Sequence, residues 1–291
     1  MKIEAWIEKN TESLAGKTVA VTGTTGGLGR ELCIYLASLG ASLVLVDRNA
    51  ERSEKFRCEL LSDFGAASVI CVNADLENID SVRLAAKSLI SIRPDVFIHN
   101  AGAYSIPRHK CSTGYDNVFQ INFVSPYYII RELLPTLREV GGRVVVVGSI
   151  AHNYSKYDPR DVDFSKRKKA SKVYGNAKRY LMFSLFELFR SEKSVTLSVT
   201  HPGITFTNIT AHYPKLIFAL IKHPMKLIFM KPSVAGLSIL NGVFQSTEYH
   251  TWIGPALFDV WGMPKKKKLS TAKKGESEAI GEIANSIYEK L

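Results

Sequence analysis

The sequence contains few cysteines, and their spacing matches neither a disulfide framework nor a metal site. The four are Cys33, Cys58, Cys71 and Cys111, and they form no C-x-x-C pair and no ligand-spaced set with histidine. Secreted disulfide-stapled domains and zinc sites usually carry such patterns. We therefore expect reduced thiols, no metal ion and a cytoplasmic location.

Long apolar runs, repeats and targeting signals are also missing. A membrane-spanning helix needs about 18 or more apolar residues in a row, and the sequence has no such run. The first eight residues are amphipathic and carry acids, unlike a secretory signal peptide. No internal repeat and no nucleic-acid recognition motif is present. These absences favour a protein that neither spans a membrane nor binds nucleic acid.

Basic residues are abundant. The chain has 291 residues, 46% of them hydrophobic, and a formal net charge of +11. This length suits one large α/β domain or two small ones, and the lack of a central linker favours one. Lysine and arginine cluster at 166–169 and 265–268. These clusters are solvated loops, or they attract an anionic cofactor or the headgroups of a membrane that the protein contacts peripherally.

Strand-like and helical patterns alternate along the chain. Apolar strand-like runs occur at 18–22, 43–46, 68–72, 95–99, 143–148 and 194–200. Helical patterns separate them, including a long one at 112–138 that contains Asn122, and residues 254–262 predict a loop and a short strand. The alternation predicts an α/β fold: a single-domain, Rossmann-type, doubly wound parallel sheet with helices on both faces. Sites in such sheets lie beyond the carboxyl ends of the strands.

A glycine-rich turn joins the first strand to a helix and carries Gly23, Gly27 and Gly29. A strand, a glycine turn and a helix in this order suit a dinucleotide, whose pyrophosphate binds at the helix N-terminus. Gly23 would allow a sharp turn, Gly27 a close approach to the pyrophosphate, and Gly29 close packing of helix on strand. The alternative is a plain glycine-rich turn.

The second strand ends at two residues that favour different cofactors. Asp47 lies 24 residues after Gly23, where an acid can accept hydrogen bonds from the adenosine ribose and favour NAD. Arg48 could instead bind the 2′-phosphate of NADP. We expect NAD, because an unpaired acid beside a phosphate costs more than a solvated arginine.

Tyr174 and Lys178 lie four residues apart in a segment with helical periodicity, so they share one helical face. A nearby ammonium favours the phenolate and should lower the pKa of Tyr174, which would let the phenol exchange a proton near neutral pH. An ordinary surface pair is the alternative.

Together, these motifs resemble the short-chain dehydrogenase/reductase family over about residues 15–262. The ordered set comprises Thr22-Gly23-x-x-x-Gly27-x-Gly29, Asp75-Leu76, Asn100-Ala101-Gly102, Asn122, Ser149, Tyr174, Lys178, Pro202-Gly203 and Thr207. The resemblance implies a cofactor site made of Thr22, Gly23, Thr25, Gly27, Leu28, Gly29, Asp47, Arg48, Asp75, Leu76, Asn100, Ala101, Gly102, Tyr174, Lys178, Pro202, Gly203 and Thr207.

The resemblance also implies a catalytic tetrad. Tyr174 would be the acid and base in hydride transfer between nicotinamide and a secondary alcohol or ketone. Lys178 would lower the pKa of Tyr174 and hold the nicotinamide ribose. Ser149 would donate a hydrogen bond to the substrate oxygen, and Asn122 would connect Lys178 to a water-mediated proton path.

The segment between Ser149 and Tyr174 is longer than in the shortest family members and carries His152, Asn153 and Tyr154. It is similar to hydroxysteroid-dehydrogenase-like and retinol-dehydrogenase-like members, which act on lipophilic substrates. The apolar stretch at about 208–232 would be a helical lobe that covers a substrate such as a hydroxysteroid. Core or subunit packing and peripheral membrane docking are the alternatives for this stretch.

Three further expectations concern organisation and reaction. Residues 1–15 should be an N-terminal helical extension, 16–262 the catalytic domain, and 263–291 a basic connector with a C-terminal helix. The family is usually oligomeric, which implies a homodimer or homotetramer. The alternative reactions are the same chemistry on a small polar or retinoid-like carbonyl compound, and an epimerisation or dehydration that retains NAD.

Overall fold

The computed structural model describes residues 2–204, 229–271, 273 and 275–291. Within these ranges one sheet of eight strands has the order β3-β2-β1-β4-β5-β6-β7-β8. The strands are β1 (Thr18–Thr22), β2 (Ser42–Asp47), β3 (Val69–Asn73), β4 (Val96–His99), β5 (Arg143–Val147), β6 (Thr196–Thr200), β7 (Thr251–Leu257) and β8 (Trp261–Lys268). All neighbours pair in parallel except β7 and β8, which are antiparallel. The predicted parallel Rossmann-type sheet is confirmed.

Helices cover both faces of this sheet. They are α1 (Ile3–Asn10), α2 (Gly27–Ser38), α3 (Ala50–Asp63), α4 (Ile79–Ile92), α5 (Asn117–Phe119), α6 (Ser125–Val140), α7 (Ala170–Leu188), α8 (Pro232–Phe244) and α9 (Glu276–Tyr288). One apolar cluster joins the sheet to α4, α6, α7 and α9. The other joins it to α1, α2, α3 and α8.

Strand residues divide between the two clusters in strict alternation. In β2, Val44 and Val46 belong to one cluster, and Leu43 and Leu45 belong to the other. Successive side chains of a strand point to opposite faces, so a strand covered on both faces must be apolar throughout. The continuous apolar sequence of β2 is therefore a consequence of its central position.

The structure differs from the sequence prediction at the C-terminal side of the sheet. Residues 254–262 were expected to form a loop and a short strand, and the basic connector was expected from 263. Instead, 251–268 form the β7–β8 hairpin, and Lys265–Lys268 pair with β7 at the edge of the sheet. Lysines on an edge strand keep it solvated and discourage pairing with another chain.

The long helix expected at 112–138 is broken into α5, a π-helical turn (Gln120–Val124) and α6. The substrate lobe expected at 208–232 lies outside the described residues, except for its last four. In the described ranges, each helix is too short or too polar to cross a bilayer.

Candidate functional site

A cavity of about 910 Å³ opens beyond the carboxyl ends of β1, β2, β4, β5 and β6. Most of the predicted site residues line it: Gly23, Thr25, Gly27, Leu28, Gly29, Asp47, Arg48, Asp75, Leu76, Asn100, Ala101, Gly102, Ser149, Tyr174, Lys178, Pro202 and Gly203. Thr22 and Asn122 lie behind its wall, and Thr207 falls outside the described residues. A separate cavity of about 620 Å³ lies between α6, α7 and α9, away from these residues.

The glycine loop is packed so closely at Gly29 that this position has no room for a side chain. A Cβ on Gly29 would lie 2.1 Å from the carbonyl oxygen of Gly23 and 2.8 Å from Nδ2 of Asn100. Asn100 Nδ2 donates to the carbonyl oxygens of Thr22 and Gly23, at 3.1 and 3.0 Å. The Thr22 hydroxyl accepts from the backbone N–H groups of Asn100 and Ala101, each at 3.0 Å. Thr22 and Asn100 thus tie β1 to β4 beneath the loop.

The Asp47 carboxylate is buried and already bonded to the glycine loop. It accepts hydrogen bonds from the backbone N–H of Thr24 at 2.8 Å, from the Thr24 hydroxyl, and from the Ser53 hydroxyl at 3.4 Å. Weaker bonds come from the N–H and hydroxyl of Thr25, at 3.4 and 3.5 Å. The acid that the sequence analysis treated as unpaired therefore has several donors. Arg48 and Arg52 are exposed and line the same end of the cavity.

Ser149 and Tyr174 meet at the other end of the cavity. Ser149 is the N-cap of a 3-10 turn (Ile150–Tyr154), and its Oγ accepts the Ala151 N–H at 3.1 Å. The Ser149 hydroxyl uses one lone pair as an acceptor in this cap, so its own proton is still available to donate to Tyr174 or to a substrate oxygen. Burial raises the pKa of the Tyr174 phenol to about 12; a hydrogen bond with Ser149 opposes this shift, and Tyr104 adds to it.

Lys178 is buried beneath Tyr174. Its Nζ donates to the Val147 carbonyl oxygen at 2.8 Å and lies 5.8 Å from the centre of the Tyr174 ring. Burial lowers the pKa of Lys178 to about 7. The pKa of Tyr174 is raised, opposite to the lowering expected from Lys178, and Lys178 is not among the causes of the shift.

Asn122 positions the loop after β4. It lies in the π-helical turn, and such turns in helices are common at functional sites. Its Nδ2 donates to the carbonyl oxygens of Ala103 and Val118, at 2.9 and 2.8 Å, and its Oδ1 accepts the Ala103 N–H at 3.3 Å. A Cβ on Gly102 would lie 2.8 Å from Asn122 Oδ1 and 3.6 Å from Lys178 Nζ. Only a glycine leaves that space between Asn122 and Lys178.

Several lining residues were not predicted from the sequence. Tyr104 packs edge-on against Tyr174, with ring centroids 5.4 Å apart at 83°. Ile106 and Tyr154 line the same cavity, and so does Phe229, which belongs to the stretch predicted to cover the substrate. Side chains on loops have no periodicity, so nothing in the sequence indicated which of them face the cavity.

Gly175, next to Tyr174 in α7, is a glycine inside a helix, and such a position in a sequence indicates close packing. Glycine inside a helix destabilises it by about 1 kcal/mol relative to alanine, so it usually has a packing reason. A Cβ at Gly175 would lie 2.1 Å from the Ala151 carbonyl oxygen. The close approach brings the turn after Ser149 against the helix that carries Tyr174.

Replacing Gly175 with alanine should therefore separate Ser149 from Tyr174. We expect a fall in kcat of about a hundredfold, since displacements near 1 Å have such effects on positioned groups. Gly236→Ala is the matched control, because a Cβ in that helix meets its nearest neighbour, Tyr35, at 3.6 Å. Steady-state kinetics of the two variants check this; equal kcat values would contradict it.

Comparison with known proteins agrees with this geometry. Residues 17–215 match the profile of the family described as short chain dehydrogenase. The chain is 31% identical over 212 residues to retinol dehydrogenase 14 of Mus musculus, covering 68% of this chain and 64% of that protein. It is 31% identical over 228 residues to dehydrogenase/reductase SDR family member 13 of Bos taurus, covering 76% and 60%. The matches thus span less than two thirds of the length of these relatives.

Solved structures show the same fold. A crystal structure of an uncharacterised protein from Mycobacterium paratuberculosis has a TM-score of 0.77 at 22% identity and covers 97% of this chain and 96% of that one. A short-chain dehydrogenase from Sphingobium yanoikuyae, in complex with NADPH, has a TM-score of 0.60 at 18% identity and covers 94% and 96%.

The sheet, with its cavity beyond the strand ends, defines a Rossmann-type α/β fold. The family profile that matches residues 17–215 identifies which family with this fold the chain belongs to. The chain belongs to the short-chain dehydrogenase/reductase family.

Proposed function

We propose that the protein transfers a hydride reversibly between a nicotinamide cofactor and an alcohol or carbonyl carbon. The observation that carries this proposal is the convergence of Ser149, Tyr174 and Lys178 at one end of a cavity whose other end is the glycine loop. The bound nicotinamide supplies the hydride chemistry. The side chains of this protein orient the cofactor and substrate and transfer the proton.

Tyr174 acts as the proton donor in carbonyl reduction. A phenol with a pKa of about 12 is protonated at neutral pH, so it can donate to the carbonyl oxygen as the hydride reaches the carbon. Ser149 donates a second hydrogen bond to the same oxygen and stabilises its developing charge. In alcohol oxidation the reverse step starts from the Tyr174 phenolate, which accepts the hydroxyl proton as the hydride leaves the carbon.

Lys178 holds the cofactor and supports Tyr174. Its Nζ has three donor positions, of which the Val147 carbonyl accepts one. The remaining two can bind the nicotinamide ribose hydroxyls. The phosphates of a bound dinucleotide favour the ammonium over the neutral amine. Asn122 holds the backbone of residues 102–103 beside the Lys178 ammonium. This positioning is the proposed contribution of Asn122 to the proton path.

Asp47 makes NAD the preferred cofactor. A 2′-phosphate about 4 Å from its charge would be repelled by about 4 kcal/mol for each unit charge at the dielectric typical of a protein surface. Arg48 and Arg52 are exposed, and an exposed ion pair offsets only about 1 kcal/mol or less. The glycine loop, Asp75 and the backbone of 100–102 bind the rest of the dinucleotide.

Replacing Asp47 with asparagine tests this preference. The amide keeps an acceptor for the Thr24 N–H but removes the charge, so kcat/KM for NADPH relative to NADH should rise about 10- to 100-fold. Arg48→Ala is the opposing control. It should lower kcat/KM for NADPH and leave kcat/KM for NADH unchanged. A wild-type protein that already prefers NADPH would contradict our account of Asp47.

The substrate is proposed to be lipophilic. The cavity that contains Tyr174 is also lined by Tyr104, Ile106, Ile150, Tyr154 and Phe229, and such walls suit a steroid-like or retinoid-like molecule. The matched relatives include proteins named retinol dehydrogenase, which favours the same class.

The test follows oxidation of NADH and NADPH with a steroid ketone, all-trans-retinal and a small polar ketone. Turnover of either lipophilic compound with kcat/KM well above that of the polar ketone is the expected result. Turnover of the polar ketone alone would contradict the lipophilic assignment and leave the reaction class intact. Consumption of substrate without net NAD formation would favour an epimerase or dehydratase.

Assembly and location are proposals as well. Family members act on small molecules and are usually oligomeric, so a homodimer or homotetramer is proposed. A cytoplasmic location is proposed, with peripheral membrane contact through the lysine clusters. Light scattering and vesicle flotation at low and high salt measure these two properties.

A further inference from the structure

His152 is a buried histidine whose two ring nitrogens are both bonded next to the proposed site. Nδ1 lies 2.6 Å from the Ser149 carbonyl oxygen, and Nε2 lies 2.7 Å from the Thr271 hydroxyl. A carbonyl oxygen only accepts, so Nδ1 must carry the proton, and Nε2 must accept from Thr271. Burial lowers the pKa of His152 to about 4, so the ring is neutral at physiological pH and one tautomer satisfies both contacts.

Surrounding side chains fix the ring in this position. Trp252 packs edge-on against it at 5.5 Å between centroids and an interplanar angle of 87°, and Phe183 packs at 6.2 Å. The side chain is almost fully buried, at 1% exposure. Rotation of the ring would break both hydrogen bonds and clash with two aromatic neighbours.

The anchor at Thr271 is itself held by the helix that carries Tyr174. Arg179, the residue after Lys178, donates to the carbonyl oxygens of His152 and Thr271, at 3.3 and 3.1 Å. Its guanidinium also forms a buried ion pair with Glu276, with Nε to Oε1 at 2.7 Å. One arginine therefore joins the histidine, the Thr271 backbone and the first residue of α9.

We propose that His152 is a positioning residue, which with Thr271 of the C-terminal segment sets the backbone of Ser149 so that its hydroxyl reaches the substrate oxygen. This inference rests on the proposed role of Ser149. It also assigns Thr271 and Glu276 to the machinery of the site, although they lie more than 120 residues along the chain from Ser149.

The effect should appear in kcat, because Ser149 stabilises charge that develops only in the transition state. His152→Leu keeps the size and loses both bonds, and Thr271→Val loses only the hydroxyl. We expect each to lower kcat about 10- to 100-fold, with little change in the affinity for NADH. His152→Asn, whose Nδ2 can replace Nδ1 as donor to Ser149, and Thr271→Ser should retain most activity.

A double-mutant cycle separates positioning from general damage. The carbonyl compound turned over best in the panel above is used as substrate, and Ser149→Ala, His152→Leu and the double variant are compared. If His152 acts through Ser149, the double variant is no slower than Ser149→Ala alone. A double variant whose loss of kcat equals the product of the two single losses would overturn the inference. Equal losses for His152→Leu and His152→Asn would also overturn it.

The two proposals fail in distinguishable ways. Unchanged kcat in Ser149→Ala would contradict the proposed function, whereas a loss there with full activity in His152→Leu would contradict only this inference. Histidine ¹⁵N NMR provides a readout without substrate. A neutral His152 protonated on Nδ1, and disturbed by Thr271→Val, is expected; protonation on Nε2 or titration near pH 6.5 would overturn it.

Discussion

Tyr174→Phe is expected to lower kcat by about 10²- to 10⁴-fold, the range that general acid catalysis contributes. The variant loses the phenolic proton and keeps the ring that packs against Tyr104. Affinity for NADH should change little, because the glycine loop and Asp47 lie at the other end of the cavity. Single-turnover kinetics with excess enzyme, beside NADH binding by fluorescence, separate the two effects.

Tyr154→Phe provides the matched control for this experiment. Tyr154 lines the same cavity, but it is 56% exposed and is the last residue of the 3-10 turn that Ser149 caps. Removing its hydroxyl should leave kcat near the wild-type value. Wild-type kcat in Tyr174→Phe, or an equal loss in both variants, would contradict the assignment of the proton donor.

Lys178→Met is expected to have two large and opposite effects. It should abolish most turnover, because the ammonium that binds cofactor is removed. It should also stabilise the cofactor-free protein near neutral pH. The pKa of Lys178 falls from 10.5 to about 7 on burial, so the unfolded chain binds a proton more tightly than the folded one.

The sign of the pH dependence follows from this depressed pKa. Between about pH 7 and 10.5 the wild-type protein gains stability as pH rises, by about 1.4 kcal/mol for each pH unit across the interval. Below about pH 7 the full destabilisation is present. The advantage of Lys178→Met should therefore be largest at or below pH 7 and should shrink as pH approaches 10.5.

Urea unfolding at several pH values measures this difference. Lys172→Met, an exposed lysine on the same helix, is the control and should show no such trend. A Lys178→Met protein that is less stable than wild type at pH 7, or a stability difference independent of pH, would contradict the burial argument.

The sequence predicted the layout of the site because parallel strands place their carboxyl ends at one edge. Asp47, Asn100, Ser149 and Pro202 are far apart in sequence, yet each lies at or just after the end of a strand, so all line one cavity. The spacing of Tyr174 and Lys178 sufficed to place both in a single turn of α7. Placing these residues needed only strand order and helical periodicity, whereas the choice of Ser149 and Pro202 as site residues came from the family resemblance.

Properties that depend on burial and loop packing could not be predicted. The pKa of Tyr174 rises because neighbouring segments cover the phenol, and the spacing to Lys178 contains no information about that cover. Asp47 is bonded to Thr24 and Ser53 by the detailed path of the loop. The pairing of His152 with Thr271 depends on where the chain after β8 returns to the core.

The central claim is direct hydride transfer between nicotinamide and substrate, and deuterium labelling tests it. NADH carrying deuterium at C4 is incubated with the preferred carbonyl compound, and the product alcohol is analysed by mass spectrometry. For the cofactor stereoisomer that matches the site, our account predicts one deuterium on the carbinol carbon and one NAD for each alcohol formed. Unlabelled product from both stereoisomers, or product formed without net NAD, would contradict it.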